Sequence, residues 1–170
     1  HKITDYLSSQ TFPWKTDISD AGDVDIIYRI IKVFKNSNNN EDFLVLYGDT
    51  ISDVNLYTLK DFHCNHKRPI TISTWPFKLQ FGIVNMDENS NVIDFREKPK
   101  SDSWINIGYI YFSKHILAKL KAFESFEAFL IRMFEQNKIA AYKHYGEHVN
   151  INTLKELKEA EMYLEKREEI

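Results

Sequence analysis

The chain has 170 residues, 43% of them hydrophobic and 28% charged, with a formal net charge of −3. That size fits one domain with a real core, and a slightly acidic chain without a basic run leaves no electrostatic footprint for nucleic acid. No apolar stretch nears the roughly 20 residues that span a bilayer, nothing at the start reads as a signal peptide, and the lone Cys64 excludes an internal disulfide and fits a reducing cytoplasm.

Lys2 to Ser8 reads as the end of a helix, broken by Phe12-Pro13-Trp14. An opening with no strand before it predicts a sequence that starts inside a fold. Val24, Ile27, Tyr28, Ile31 and Phe34 then recur at helical spacing, with Asp20 or Asp23 as the cap, and the Asn-rich segment 36–40 forms a loop. Phe43 to Tyr47 is an unbroken apolar run, too short for a buried helix, and predicts a central strand covered on both faces. Gly48 supplies a sharp turn and sets Asp49 just past the carboxyl end of that strand, the edge where open α/β sheets bind ligands. A carboxylate there suits a divalent cation carrying phosphates, because Mg²⁺ takes one or two carboxylates and fills its shell with water and phosphate oxygens. A helix cap or a turn residue is the plainer reading.

Asp53-Val54-Asn55 predicts the N-cap of a helix with Leu56, Leu59, Phe62 and His66 on one side. His63 and His66 share a helix face, as a metal pair would, but no third ligand lies near them in sequence, and zinc needs one. Cys64, in the same pattern, reads as a small buried or half-buried residue and not as a nucleophile. Pro69 precedes an alternating strand from Ile70 to Trp75. Ile83 to Met86 and Val92 to Phe95 flank Asp87-Glu88-Asn89-Ser90-Asn91, a hairpin, closed by Arg96-Glu97-Lys98-Pro99-Lys100. Ile105 to Phe112 is a strand interrupted by Gly108. Helices follow over 113–120 and 125–136, the second with Phe126, Phe129, Leu130, Met133 and Phe134 inward, and Ile139 to His144 is a last strand. Thr153-Leu154-Lys155-Glu156 is a capping box that opens a terminal helix striped by Leu154, Leu157, Ala160, Glu161 and Leu164. With no linker or repeat, strands alternating with helices predict one layered α/β domain over residues 1–170, its sheet mixed because a hairpin is inserted.

Five segments stand out in order: Tyr47-Gly48-Asp49-Thr50, Phe81-Gly82-Ile83-Val84, Phe95-Arg96-Glu97-Lys98-Pro99, Trp104-Ile105-Asn106-Ile107-Gly108-Tyr109, and His148-Val149-Asn150-Ile151-Asn152-Thr153. Their order and spacing resemble the sugar-phosphate nucleotidyltransferases, over nearly the whole chain. The Asp-Val-Asn, Phe-Gly and Trp-Ile-Asn segments resemble the glucose-1-phosphate cytidylyltransferase branch in particular. The resemblance implies a Rossmann-like three-layer α/β domain with a mixed, mostly parallel central sheet and an inserted β-hairpin. It implies transfer of a nucleotidyl group from a nucleoside triphosphate to a sugar 1-phosphate, with pyrophosphate leaving, in nucleotide-sugar and polysaccharide biosynthesis. Two polyanions must meet, so such catalysis is mostly positioning and charge neutralisation. By this resemblance Asp49 and Asn150 hold Mg²⁺, and Asp49 and Lys98 are the catalytic pair, with Lys98 reaching the sugar phosphate as a point charge. Glu97 accepts from sugar hydroxyls, Gly82 admits the sugar close to the backbone, and Asn106 and Gly108 complete the substrate contacts. Each has a plainer reading alone: Glu97-Lys98-Pro99 a surface pair, Gly82 a bulge.

Two departures qualify the resemblance. Relatives open with a strand and a glycine-rich loop ending in Arg, which wraps the triphosphate with backbone N–H groups; no Gly-Gly occurs in this sequence, and only Gly22 remains near the helix where the base is read. Relatives also carry a second metal-binding Asp where this chain has Asn150. These departures predict a domain lacking its first strand and glycine-rich loop, inactive alone. An apolar sheet edge would be left bare and would favour pairing into a homo-oligomer. The rival is a degenerate sugar-phosphate-binding or regulatory domain of the same fold. A nucleotide-sugar glycosyltransferase is disfavoured because Asp53, four residues beyond Asp49, does not make an Asp-x-Asp motif.

Overall fold

The computed structural model describes residues 2–35, 41–79 and 81–168, so the loop expected over 36–40 lies outside the described residues. In chain order the elements are α1 (Lys2–Ser9), α2 (Ile26–Lys35), β1 (Phe43–Leu46), β2 (Thr50–Ser52), α3 (Leu56–His66), β3 (Ile70–Lys78), β4 (Ile83–Met86) and β5 (Val92–Arg96). Then come β6 (Lys100–Phe112), a 3-10 turn (Lys114–Ile116), α4 (Leu117–Leu120), α5 (Phe126–Glu135), β7 (Ile139–Lys143), β8 (His148–Asn150) and α6 (Leu154–Glu168). The chain divides into two compact units, one from His1–Glu41 with Lys114–Gln136, the other from Asp42–Ser113 with Asn137–Ile170.

The first unit is helical. Asp25 caps α2, its Oδ1 accepting from the Ile27 N–H at 2.9 Å and also from the Phe126 N–H at 2.9 Å, which ties the first turns of α2 and α5 together. The cap is therefore neither Asp20 nor Asp23; Asp20 instead closes a turn on the Gly22 N–H at 2.8 Å. Ile27 and Ile30 are the buried residues of α2, while Val24 precedes the helix and Tyr28 lies on its exposed side. Ser125 caps α5 by accepting from the Ala128 N–H at 3.1 Å. Phe126, Phe129 and Met133 are buried at the i, i+3, i+7 spacing of one helix face, with Phe123 edge-on to Phe129 at 5.4 Å. Phe134, one position further round, is exposed and not inward as expected.

The second unit is built on a four-stranded mixed sheet in the order β1-β6-β3-β7. β6 runs antiparallel to both β1 and β3, and β3 runs parallel to β7, so three of the four strands share one direction. The α/β class and the mixed sheet therefore hold. β1 stands at the end of this order instead of the centre: among the described residues only β6 pairs with it, and its cover falls from a buried Phe43 to an exposed Leu46. Val54, Leu59 and Ile107 form a buried core cluster against which Leu44, Trp75, Ile105, Tyr109, Tyr111 and Tyr142 pack. Phe43 stacks on Phe112 across the β1–β6 pair at 5.2 Å. The expected hairpin is present as β4 and β5 on a small sheet of their own, with Asp87 Oδ1 closing the turn on the N–H groups of Asn89 at 2.9 Å and Asn91 at 2.8 Å. The capping box is present at α6, where Glu156 N–H donates to Thr153 Oγ1 at 3.2 Å and Asn152 N–H to Glu156 Oε2 at 2.8 Å. Of its expected stripe, Ala160 is buried while Leu154, Leu157 and Leu164 are exposed.

Helix α3 takes its N-cap within the expected Asp53-Val54-Asn55 segment, at Asn55, whose Oδ1 accepts from the N–H groups of Tyr57 at 3.0 Å and Thr58 at 3.1 Å. Its buried face is Leu59 and His63, with Leu56 and Cys64 exposed. His63 and His66 meet on a threonine. Arg68 N–H donates to His66 Nδ1 at 2.9 Å, so the neutral ring carries its proton on Nε2, which faces Thr71 Oγ1 at 2.7 Å. Thr71 can then donate to His63 Nδ1 at 2.7 Å, leaving the His63 Nε2–H for Ser113 Oγ at 3.0 Å.

Candidate functional site

Tyr47 leaves β1 with its N–H on the Gly108 carbonyl at 3.0 Å, and the chain turns through Gly48 and Asp49 before re-entering as β2. Gly48 is in that turn as expected, yet its φ lies outside the left-handed region and a Cβ there would meet nothing within 4 Å. The turn does not demand glycine. β2 then pairs antiparallel with β8 in the register Thr50↔Asn150, Ile51↔Val149, Ser52↔His148. Neither three-residue strand was expected from the sequence, and their pairing brings Asp49 beside Asn150. Thr50 Oγ1 stands 3.4 Å from Asp49 Oδ1 and 3.3 Å from Asn150 Oδ1, and Ile151 N–H donates to the Asp49 carbonyl at 2.8 Å.

Asp49 and Asn150 are exposed. One anionic and one neutral oxygen donor on an open edge fit a hard cation such as Mg²⁺ that draws most of its shell from water and phosphate. Among the described residues there is no group of three or more His, Cys, Asp or Glu that could enclose a metal by itself. The donor set therefore suits a cation shared with a phosphorylated ligand and not a closed structural site.

The hairpin carries the second group. A Cβ on Gly82 would lie 2.8 Å from Glu97 Oε2, so the Glu97 carboxylate lies against the bare glycine backbone. Lys98 follows, exposed, with a left-handed φ of 42° that turns the chain from β5 towards β6. The Glu97 carboxylate thus fills the space beside the Gly82 backbone, and the exposed Lys98 follows it directly in the chain.

The third group lies on β6. Asn106 Oδ1 accepts from the Gly108 N–H at 3.0 Å, across a bend where Gly108 has φ +76°. A Cβ on Gly108 would stand 2.6 Å from Cγ of the Tyr47 ring. Gly108 is buried beneath that ring, and its glycine is required by the packing of the residue that leads into the Asp49 turn.

Sequence reasoning missed a cluster at the far end of β2 and β8. Asp53 Oδ1 stands 2.7 Å from the Glu147 N–H and 2.9 Å from His144 Nε2, and Asp53 N–H donates to the Glu147 carbonyl at 3.3 Å. The buried His144 Nε2 also lies 3.3 Å from that carbonyl, so it faces two acceptors and carries the ring proton. Trp75 Nε1–H donates to the Gly146 carbonyl at 2.9 Å, and its ring lies 5.5 Å from that of His148. Burial holds the His148 imidazole below its ordinary value, with His144 adding to the effect. The signal for this cluster was present in Asp53-Val54-Asn55, but Asp53 read as part of a helix cap that Asn55 provides.

Comparison with known proteins identifies the family. A family model described as nucleotidyl transferase matches residues 9–160. The chain is 27% identical over 157 residues to glucose-1-phosphate cytidylyltransferase of Salmonella typhi, covering 90% of this chain and 59% of that protein. It is 30% identical over 173 residues to glucose-1-phosphate adenylyltransferase of Lachnospira eligens, covering 94% of this chain and 40% of that protein. It thus spans 59% or less of the length of these two curated relatives. The crystal structure of HddC from Yersinia pseudotuberculosis shares the fold, with a TM-score of 0.65 at 18% identity over 94% of this chain and 71% of that one. No helix among the described residues is long and apolar enough to cross a membrane.

Proposed function

The chain belongs to the nucleotidyl transferase family, and on that premise we propose that it serves the joining of a sugar 1-phosphate to a nucleoside triphosphate, with release of pyrophosphate. The observation that carries the reading is the meeting of Asp49 and Asn150 around Thr50 at the end of β1. The finer assignment is to glucose 1-phosphate and CTP, supported by the likeness to the cytidylyltransferase of Salmonella typhi.

In this reading a sugar-phosphate oxygen attacks the α-phosphorus, and the bond to the β-phosphate oxygen breaks. Asp49, with the amide oxygen of Asn150, would hold Mg²⁺, which when bound supplies charge neutralisation for the nucleotide phosphates. Lys98 would meet the sugar phosphate as a compact cation on a pre-turned backbone. Glu97 would accept from sugar hydroxyls, and Gly82 leaves room for that carboxylate. Asn106 holds the bend at Gly108, and the Gly108 carbonyl holds the Tyr47 N–H that leads into the Asp49 turn. The 170 residues furnish the sugar-phosphate half better than the triphosphate half, because no Gly-Gly loop is among them.

The test is pyrophosphate release in Mg²⁺ from CTP and glucose 1-phosphate. Where the parent turns over, Asp49→Ala should lower the rate on the order of 10² or more, the scale of losing a dominant electrostatic stabiliser. Near-normal turnover of that variant would remove Asp49 from the role. Calorimetry with glucose 1-phosphate tests the sugar half apart from turnover. Binding without turnover would favour the second reading, a sugar-phosphate-binding or regulatory domain, which the uncharged Asn150 supports. Neither binding nor turnover would overturn both.

A further inference from the structure

We infer that Asp53 is the positioning residue that sets Asn150 beside Asp49, acting through the register of β2 and β8; the inference rests on the assignment of Asp49 and Asn150 to the cation and phosphate site. The two strands are three residues each and come from distant parts of the chain. An isolated pair that short is marginal in water. A slip of one residue would turn Asn150 to the opposite face, because side chains alternate along a strand. Something beyond the ladder must fix the register.

Asp53 does so from the far end. The register that pairs Ser52 with His148 puts Asp53 opposite Glu147, and there the Glu147 N–H is held by the Asp53 carboxylate at 2.7 Å. The Glu147 carbonyl is held by the Asp53 N–H at 3.3 Å and by Ser52 Oγ–H at 2.7 Å. Both backbone groups of Glu147 are therefore claimed by residues 52 and 53. His144 Nε2–H, at 2.9 Å, anchors the same carboxylate to the end of β7, whose next N–H, that of His144, donates to the Thr74 carbonyl at 2.8 Å. The main sheet thus sets Asp53, Asp53 sets Glu147, and Glu147 sets Asn150 three residues on.

Gly146 is an independent sign of the same device. A Cβ there would collide with both carboxylate oxygens of Asp53 and with His144 Cε1. Its φ is not in the left-handed region, so its backbone alone would accept another residue. The packed carboxylate is what requires glycine.

The experiment follows amide hydrogen exchange and Mn²⁺-induced line broadening by NMR on the 170-residue chain and on Asp53→Ala, Asp53→Asn and Gly146→Ala. Asp53→Ala and Gly146→Ala should each accelerate exchange at Glu147 and Ile151 by about tenfold or more and weaken Mn²⁺ at the Thr50 and Ile151 amides by about tenfold. Protection at Ile72 and Ile110 should be unchanged, which reports an intact main sheet. Asp53→Asn, which keeps an acceptor for the Glu147 N–H, should restore most of the protection. The double variant Asp53→Ala with Gly146→Ala should be no worse than either alone, as expected of residues that act as a unit. Faster exchange at Glu147 with Ile151 unmoved would make Asp53 a local turn residue and overturn the inference. So would unchanged Mn²⁺ affinity in variants whose β8 amides have opened. If the parent chain shows no Mn²⁺ broadening beside Asp49, the cation assignment fails instead, and exchange at Ile151 still decides whether Asp53 sets the register. Should Asp53→Ala not fold, Gly146→Ala carries the same comparison.

Discussion

The carboxylate of Glu97 occupies the space that any side chain on Gly82 would need, Oε2 standing 2.8 Å from where a Cβ would be. The other neighbours of that position, two ring carbons of Phe95, lie at an ordinary 3.4 Å, and Gly82 has no left-handed φ. Gly82→Ala should therefore move the Glu97 carboxylate and little else. Its affinity for glucose 1-phosphate should fall about tenfold, the scale of one charge-assisted hydrogen bond, while its melting temperature stays near that of the parent. Calorimetry decides the point, and equal affinity would detach Glu97 from the sugar.

Lys98 combines a charge with a strained backbone, and two substitutions separate them. Lys98→Ala removes the cation and keeps a side chain at φ 42°. Lys98→Gly removes the cation and relaxes the backbone, worth about 1 kcal/mol for a residue in the left-handed region. Both should weaken glucose 1-phosphate to the same extent, while only the glycine variant gains stability in chemical denaturation. A loss of affinity confined to one of the two would mean that loop shape, and not charge, governs binding.

What the sequence made legible follows from the range of the interactions involved. The hairpin is written in neighbouring residues, since Asp87 folds its own turn through Asn89 and Asn91. The capping box at Thr153 and Glu156 is equally local. β2 and β8 were illegible because three-residue strands carry no period and their partners lie a hundred positions apart. The cap of α2 was misplaced for a related reason. Asp20, Asp23 and Asp25 all satisfy the local pattern, and Asp25 is set apart by the distant Phe126 N–H it also accepts. In the site, Asp49, Asn150, Gly82 and Glu97 were legible as residue types in order, whereas Asp53 and His144 were not, because a carboxylate that pins a register looks in sequence like one that caps a helix. Gly108 was read as a substrate contact, and its φ of +76° and the Tyr47 ring against it give it a packing reason of its own.

Burial, with Arg68 adding to it, holds the His66 imidazole below its ordinary value of 6.5. The folded state thus binds its proton less readily than the unfolded chain. Stability is full above the unfolded value and falls as pH drops from there through the lower folded value, since the unfolded state takes up more protons over that window. Geometry gives the same sign, because a protonated ring would turn Nδ1 into a donor facing the Arg68 N–H. Chemical denaturation from about pH 7.5 to about pH 5 should show a decline that His66→Gln reduces. A parallel decline in both proteins would assign the acid sensitivity elsewhere.

Asn150 is where charge can be added without changing shape. Asn150→Asp places a second carboxylate at the position whose oxygen stands 3.3 Å from Thr50 Oγ1. Thr50 has one hydroxyl proton and can donate it to only one of the two acids, so without a cation the carboxylates repel and the variant should melt below the parent. Mg²⁺ removes that repulsion and gains a second anionic ligand, and cation affinity of oxygen sites rises with ligand charge. The melting temperature of Asn150→Asp should therefore rise with Mg²⁺ much more steeply than that of the parent, and the apparent affinity should be about tenfold higher or more, as when a site gains an anionic ligand. K⁺ at matched ionic strength controls for screening, which would raise both proteins alike. The same Mg²⁺ response in parent and variant would show that no cation sits between Asp49 and residue 150. The assignment of that edge to the phosphate-carrying cation would then have to be given up.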